Sequence, residues 1–133
     1  DRGKMALILT QEHVIKDGPI PDGAVKNIEF VTRRTDMDVQ AFQAYWRDIH
    51  GPLAARIEVI RRYVQSHTLL GGYRDGRVPA IDGCAMTWFD SVAAMRQSAQ
   101  SEAYDRTRED EPNFLDTDPE IPFIITTEHV IVA

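Results

Sequence analysis

Residues 25–68, VKNIEFVTRRTDMDVQAFQAYWRDIHGPLAARIEVIRRYVQSHT, decide the fold. In the first nine of them Ile28, Phe30 and Thr32 alternate with Asn27, Glu29 and Val31, the period of a strand over 25–33. Asp38 then stands where a helix cap belongs, its carboxylate able to accept from the free N–H groups of a first turn. Val39, Phe42, Trp46 and Ile49 recur at helical spacing and mark the buried stripe of a helix over 39–49. Gly51-Pro52 is expected to end it, since Gly suits a C-terminal cap and Pro cannot continue the ladder. A short helical stretch at 53–58 leads into a second strand, IRRYVQSHT at 60–68. The unit is strand, helix, strand.

The remainder supplies its counterpart. GGYRDGRVP at 71–79, with three Gly and one Pro, reads as a loop, and AIDGCAMTWF at 80–89 as a strand. Asp90 or Ser91 caps a helix containing Val92 and Met95, and a further helical piece runs over 101–111 before Pro112 interrupts it. The acidic stretch 116–120 is a loop, to which no chemistry is assigned, and PFIITTEHVIV at 122–132 is the last strand. The order β-α-β-β-α-β is the ferredoxin-like arrangement of an α+β fold. Four antiparallel strands with both helices on one side leave the other sheet face bare, and a homodimer is the expected cover.

Two segments precede this domain. MALILTQEHVI at 5–15 reads as an extra N-terminal strand, and KDGPIPDGA at 16–24, with two Gly and two Pro, as a linker. The expected division is therefore 1–24 for the added strand and linker and 25–133 for the domain. ILTQEHVI at 8–15 also repeats IITTEHVI at 124–131: Ile8, Thr10, Glu12, His13, Val14 and Ile15 recur identically 116 positions later. The first strand is expected to copy the structural role of the last, as the tail of a preceding duplicated domain would. A first residue of Asp rather than Met agrees with an excerpt from a longer chain.

Composition removes several classes. The chain has 133 residues, 43% of them hydrophobic and 27% charged, the balance of one globular domain. Asp plus Glu is 21 against 15 Lys plus Arg, a net charge of −6, so nucleic acid is not an expected partner. Apolar runs fall far short of a membrane span, no signal segment opens the chain, and the location is expected to be cytoplasmic. The one cysteine, Cys84, excludes an internal disulfide and reads as a small buried hydrophobe. There is no GxGxxG, P-loop, HExxH, CxxC or GxSxG, and His13, His50, His67 and His129 lack metal-ligand spacing. Neither a metal nor a cofactor is expected.

The chemistry concentrates between Phe42 and His67, where Tyr45, Trp46, Arg47, His50, Arg62, Tyr63, Gln65 and His67 share one helix–loop–strand unit. His50 stands at the expected helix C-terminus, which favours the imidazolium and suits a proton donor; capping the last carbonyls is the alternative role. On the strand, Tyr63, Gln65 and His67 share one face, with Arg62, Val64 and Ser66 on the other. A Tyr-Gln-His row is either a pocket wall or a solvated edge. Trp46 and Trp88 read first as core, because large aromatics dominate burial.

YWRDIHGPLA followed by RRYVQSH resembles the EthD family, whose members carry a helix ending in a Trp…His-Gly-Pro motif and a following Tyr-bearing strand. DGCAMTWFDS and EDEPNFLD resemble the family's third strand and its acid-rich segment, so the resemblance spans about 25–132. It implies a dimeric α+β barrel in which two ferredoxin-like sheets pack face to face. Relatives of that fold include methylmuconolactone isomerases, polyketide cyclases and dehydratases, and cofactor-free monooxygenases; some family members stand beside a cytochrome P450 system in ether degradation. The isomerase pattern carries over at His50 and Tyr63 but has a cysteine where this chain has Thr87. Cys84, three residues earlier, points to the opposite face of a regular strand.

The expectation is a cofactor-independent enzyme of catabolic or secondary metabolism, an isomerase, cyclase or dehydratase acting on a lactone, phenolic or polyketide-like ring. His50 and Tyr63 are the candidate catalytic residues, and Tyr45, Trp46, Arg62, His67 and Thr87 the candidate substrate-binding ones. A cofactor-free oxygenase or its accessory, and a non-catalytic small-molecule binder, are the alternatives.

Overall fold

A computed structural model describes residues 5–132; residues 1–4 and Ala133, part of the two expected units, lie outside the described residues. Five strands form one antiparallel sheet: β1 (Thr10–Lys16), β2 (Val25–Val31), β3 (Arg62–Thr68), β4 (Gly83–Phe89) and β5 (Phe123–Thr127). Their order is β1-β3-β4-β2-β5. The last four make the expected ferredoxin-like sheet, and the extra N-terminal strand adds to the outer edge of β3. The outer strands are shorter than the sequence indicates. β1 begins at Thr10 rather than Met5, and β5 stops at Thr127 rather than Val132. Each stops where it runs off the strand beside it.

The helices are α1 (Val39–Tyr45), α2 (Gly51–Ala55), α3 (Val92–Ser98) and α4 (Glu102–Asp110). Asp38 caps α1 as expected, its Oδ2 accepting from Gln40 N at 3.1 Å and Ala41 N at 3.2 Å. Gly51-Pro52 does not end the helix. Between α1 and α2 the chain winds through a π-helical turn, Trp46–His50, and the Gly51 N–H bonds to the Trp46 carbonyl, five residues back. A proline ring clashes with the carbonyl four residues before it, and the widened turn directly ahead of Pro52 relieves that clash. His50 therefore sits inside a continuous helical stretch and not at its C-terminus.

The helices pack on the sheet face that carries Tyr63, Ala85 and Phe89, leaving the face of Val64, Met86, Ile28 and Ile124 without a helix. Two apolar clusters fill the packed side. Val25, Ala54, Ile57, Ile60, Tyr63 and Phe89 form one; Val31, Phe42, Trp46, Phe114 and Leu115 form the other. Burying an aromatic such as Phe42 or Phe114 contributes roughly 1.5–3 kcal/mol. Trp46 lies so close over β4 that a Cβ on Gly83 would meet its ring at 2.6 Å and the Ser66 carbonyl oxygen at 2.4 Å. Trp88 is also buried, as expected, with its indole N–H donating to Glu128 at 2.7 Å. Among the described residues no helix is long and apolar enough to cross a membrane.

Candidate active site

A cavity of about 270 Å³ opens between the sheet and the helices, bounded by Trp46 and His50 from the π-helical turn and by Tyr63 and Thr87 from β3 and β4. Its apolar walls include Ile57, Phe89, Met95 and Phe114. Its polar groups converge from β2, α3 and α4. A mostly apolar cleft with a few convergent polar groups has the make-up of a small-molecule site.

His50 is buried, and its imidazole packs against Phe114 with ring centroids 4.6 Å apart. Its Nδ1 lies 2.9 Å from Asp110 Oδ2, near the end of α4. The other carboxylate oxygen accepts from the Tyr45 hydroxyl at 2.5 Å and from Asn113 Nδ2 at 3.0 Å. Burial opposes ionisation of Asp110, but the hydrogen bonds from Tyr45, Asn113 and His50 outweigh it and hold the carboxyl below its usual range. Burial lowers the His50 pKa, and the Asp110 carboxylate offsets only part of that. Near neutral pH the pair is an ionised carboxylate holding a neutral ring by Nδ1–H, so Nε2 carries the lone pair. This replaces the proton donor expected at a helix end: the ring is desolvated inside the helical stretch, and its resting form is a base.

The Tyr63-Gln65-His67 row faces inward under the helices and is fully buried rather than a solvated edge, and of the three only Tyr63 borders the cavity. Gln65 Nε2 donates to the Trp46 carbonyl at 2.9 Å and to the Tyr63 hydroxyl oxygen at 3.0 Å. Its Oε1 lies 2.8 Å from His67 Nε2 and, being an acceptor, fixes the proton on that nitrogen. The amide is thereby locked, and the Tyr63 oxygen receives a donor while its own proton stays available. Burial raises the Tyr63 pKa far above the ordinary phenol value, so the hydroxyl remains a neutral donor.

The remaining expected site residues divide. Trp46 and Thr87 border the cavity. Tyr45 does not, and acts on it through Asp110. His67 lies behind the wall, its ring stacked on Trp46 with centroids 4.4 Å apart. Burial, with His13 and Arg47 nearby, pushes its pKa down to about 3, so it is a neutral support rather than a substrate contact. Arg62 lies on the other sheet face and pairs with Asp17. Cys84 is opposite Thr87 in facing, and burial raises its thiol pKa.

Several cavity residues carried no sequence signal. Asn27 Nδ2 donates to Glu29 at 3.3 Å, and Asn27 Oδ1 is buried without a partner. Arg108 sits 2.9 Å from Glu111 and 3.6 Å from Glu29, a charge cluster at one side of the cavity. Burial raises the Glu111 pKa despite Arg108. Asp110 was visible only as part of the acid-rich EDEPNFLD segment. Among the described residues no group of His, Cys, Asp or Glu gathers as a metal-binding set.

The family model described as the EthD domain matches residues 34–118, most of the chain. Among solved structures, an ethyl tert-butyl ether d (EthD) family protein from Bacillus halodurans is 19% identical with a TM-score of 0.62. The match covers 80% of this chain and 99% of that one. An EthD-like protein from Ralstonia eutropha is 21% identical, with a TM-score of 0.61 and coverage of 84% and 96%. A dimeric protein of unknown function and ferredoxin-like fold from Bacteroides fragilis is 15% identical, with a TM-score of 0.58 and coverage of 79% and 96%. No curated protein sequence matches the chain.

Proposed function

The chain belongs to the EthD family, and we propose that it is a cofactor-independent enzyme that moves protons on a lactone, phenolic or polyketide-like ring, as an isomerase, cyclase or dehydratase. The observation that carries this reading is the His50–Asp110 pair at 2.9 Å in the wall of an apolar cavity. A neutral imidazole held by a carboxylate is a general base whose lone pair is kept on Nε2.

In an isomerisation, His50 Nε2 removes a proton from a carbon beside a ring carbonyl, and the electrons move onto the carbonyl oxygen. The Tyr63 hydroxyl, kept protonated by burial, donates to that oxyanion. The imidazolium, paired with Asp110, then returns the proton to a different carbon. Asn27 lines the cavity beside Glu29, and Trp46, Phe89 and Phe114 supply apolar ring contacts. The cavity volume of about 270 Å³ suits one or two fused rings better than a long chain. A cytoplasmic location and a homodimer belong to the same reading.

The test is to offer the protein lactones, hydroxylated aromatics and quinones while following histidine ring signals by NMR, conversion by mass spectrometry and oxygen by electrode. Conversion without oxygen uptake, together with a His50 shift, is the expected result. Conversion that consumes oxygen makes the protein an oxygenase and overturns the acid–base reading. A compound that shifts His50 but is never converted makes it a binding protein.

A further inference from the structure

Strand register lines up two rows of side chains on the sheet face beneath the helices. Tyr63 stands opposite Thr87, and Thr87 opposite Asn27, one residue from each of β3, β4 and β2. Two residues along, Gln65 stands opposite Ala85, and Ala85 opposite Glu29. Ala85 carries only a methyl group, so the floor of the cavity is low between Gln65 and Glu29. Neighbouring strands are about 4.8 Å apart, which puts β2 roughly 10 Å from β3. Tyr63 and Glu29 therefore enter one cavity from opposite sides of β4. They remain within electrostatic reach: burial raises the Tyr63 pKa, and the Glu29 charge adds to that rise.

Glu29 is not needed to neutralise Arg108. Arg108 Nη1 reaches both Glu111 oxygens, at 2.9 and 3.2 Å, whereas Arg108 Nη2 stands 3.6 Å from Glu29 Oε1. Asn27 Nδ2 donates to the same Oε1 at 3.3 Å. Both contacts fall on one oxygen, and Glu29 Oε2 has no hydrogen-bond partner among the described residues. Two carboxylates beside one guanidinium repel each other. Burial chiefly, with the Glu29 charge beside it, raises the Glu111 pKa. The Glu29 side chain is only 21% exposed and lines the cavity, so its free oxygen is an acceptor directed at whatever the cavity holds.

We propose that Glu29 selects the substrate, its Oε2 accepting from a hydroxyl that the ring carries at the end away from the carbonyl held by Tyr63. The inference rests on the acid–base reading of His50 and Tyr63 for that orientation, and it narrows the ring to a hydroxylated one. The hydroxyl donates to Glu29 and can accept from Arg108 Nη2, which approaches the same carboxylate. A substrate carboxylate in this place would face Glu29 and Glu111 together, and an ammonium would face Arg108. A neutral hydroxyl meets neither repulsion. Arg96 also lines the cavity, but it is exposed, and water and salt screen its pull on an anion. A hydrogen bond to an ionised carboxylate is about twice as strong as one between neutral groups, so Glu29 discriminates strongly.

The test measures affinity by calorimetry at pH 6 for four probes: coumarin and its 7-hydroxy, 7-methoxy and 7-carboxy derivatives. Each carries the lactone carbonyl on one ring and the variable group on the other, and at this pH the hydroxyl is neutral. The hydroxy compound is expected to bind about tenfold or more tightly than the other three. Glu29→Gln keeps the side-chain shape and an oxygen for Asn27, and is expected to bring the hydroxy compound within about threefold of coumarin while coumarin itself binds as before. Equal affinity for the hydroxy compound and coumarin, or no binding of the hydroxy compound, overturns the inference. So does a preference that survives Glu29→Gln, or tighter binding of the carboxy compound, which would make the site an anion site. If Glu29→Gln fails to fold, Glu29→Asp, which withdraws the carboxylate by one methylene, is read in its place with the same expectation. Affinity is independent of turnover: a hydroxyl preference without conversion overturns only the acid–base reading, and conversion without the preference overturns only the role of Glu29.

Discussion

His50 and Asp110 are sixty residues apart in the chain and meet at 2.9 Å. The carboxylate fixes the imidazole tautomer and opposes the effect of burial on its pKa. Asp110→Asn is therefore expected to lower kcat by about 100–10,000-fold on the substrate found by the panel. It also shifts the acid limb of the kcat/KM profile to lower pH, because the charge that raises the His50 pKa is gone. A pH profile with an unmoved acid limb would mean that Asp110 does not act through His50.

In the unaltered protein that acid limb lies below pH 6.5, since burial lowers the His50 pKa and the neutral ring is the active form. His50→Ala is expected to lose a similar ~100–10,000-fold in turnover with the far-ultraviolet circular dichroism unchanged. Full turnover in the variant would take His50 out of the mechanism.

His67 predicts acid sensitivity of the fold. Its pKa falls from 6.5 to about 3 on folding, so between those values the unfolded chain binds a proton that the folded one excludes. Stability is expected to drop as pH falls through that window. His67→Phe keeps a ring on Trp46 and flattens this part of the profile. It also leaves Gln65 Oε1 without its donor, costing about 1–3 kcal/mol at neutral pH. Urea denaturation of both proteins at pH 7.5, 5.5 and 4.5 separates the two effects.

Gly83→Ala puts a methyl group 2.6 Å from Trp46 and 2.4 Å from the Ser66 carbonyl oxygen. Both neighbours are part of packed structure, so the expected loss is about 1–3 kcal/mol or more, read by chemical denaturation. Tryptophan fluorescence should shift as the Trp46 ring lifts from β4.

Asn27→Ala removes a buried acceptor that has no partner and, with it, the 3.3 Å hydrogen bond to Glu29. The two losses oppose each other, so thermal melting is expected to shift little, whereas KM is expected to rise with little change in kcat because Asn27 lines the cavity.

The strands of the ferredoxin-like sheet were legible because their apolar residues alternate and their turns carry Gly and Pro. The Asp38 cap and the shared face of Tyr63, Gln65 and His67 followed from local chemistry and period, but period alone left open whether that face was a pocket wall or a solvated edge. Asp110 was not legible: a carboxylate on a polar helix looks solvated until the fold brings His50, Tyr45 and Asn113 to it. The charge state of His50 failed for a related reason. It depended on where the helix stops, and Gly51-Pro52 resembles a terminator unless the turn before it widens. The outer strands were overextended because pairing partners, and not propensity, end β1 and β5.

The π-helical turn at Trp46–His50 has a consequence for how this protein tolerates insertions and deletions. It holds one residue more than an α-helical path would, and that surplus is taken up by the widening of the turn itself. Deleting a single residue within it would convert the stretch to ordinary α-helix. Because a π-helical turn and an α-helical turn one residue shorter sweep nearly the same angle, α1 and Pro52 would keep their phase while the side chains between them are redistributed. Trp46 and His50 could then no longer keep their present directions together, one against β4 and the other against Asp110. Point substitutions here are graded perturbations, whereas a one-residue deletion would leave the flanking helices in place and still cost the site one of its two positioned side chains.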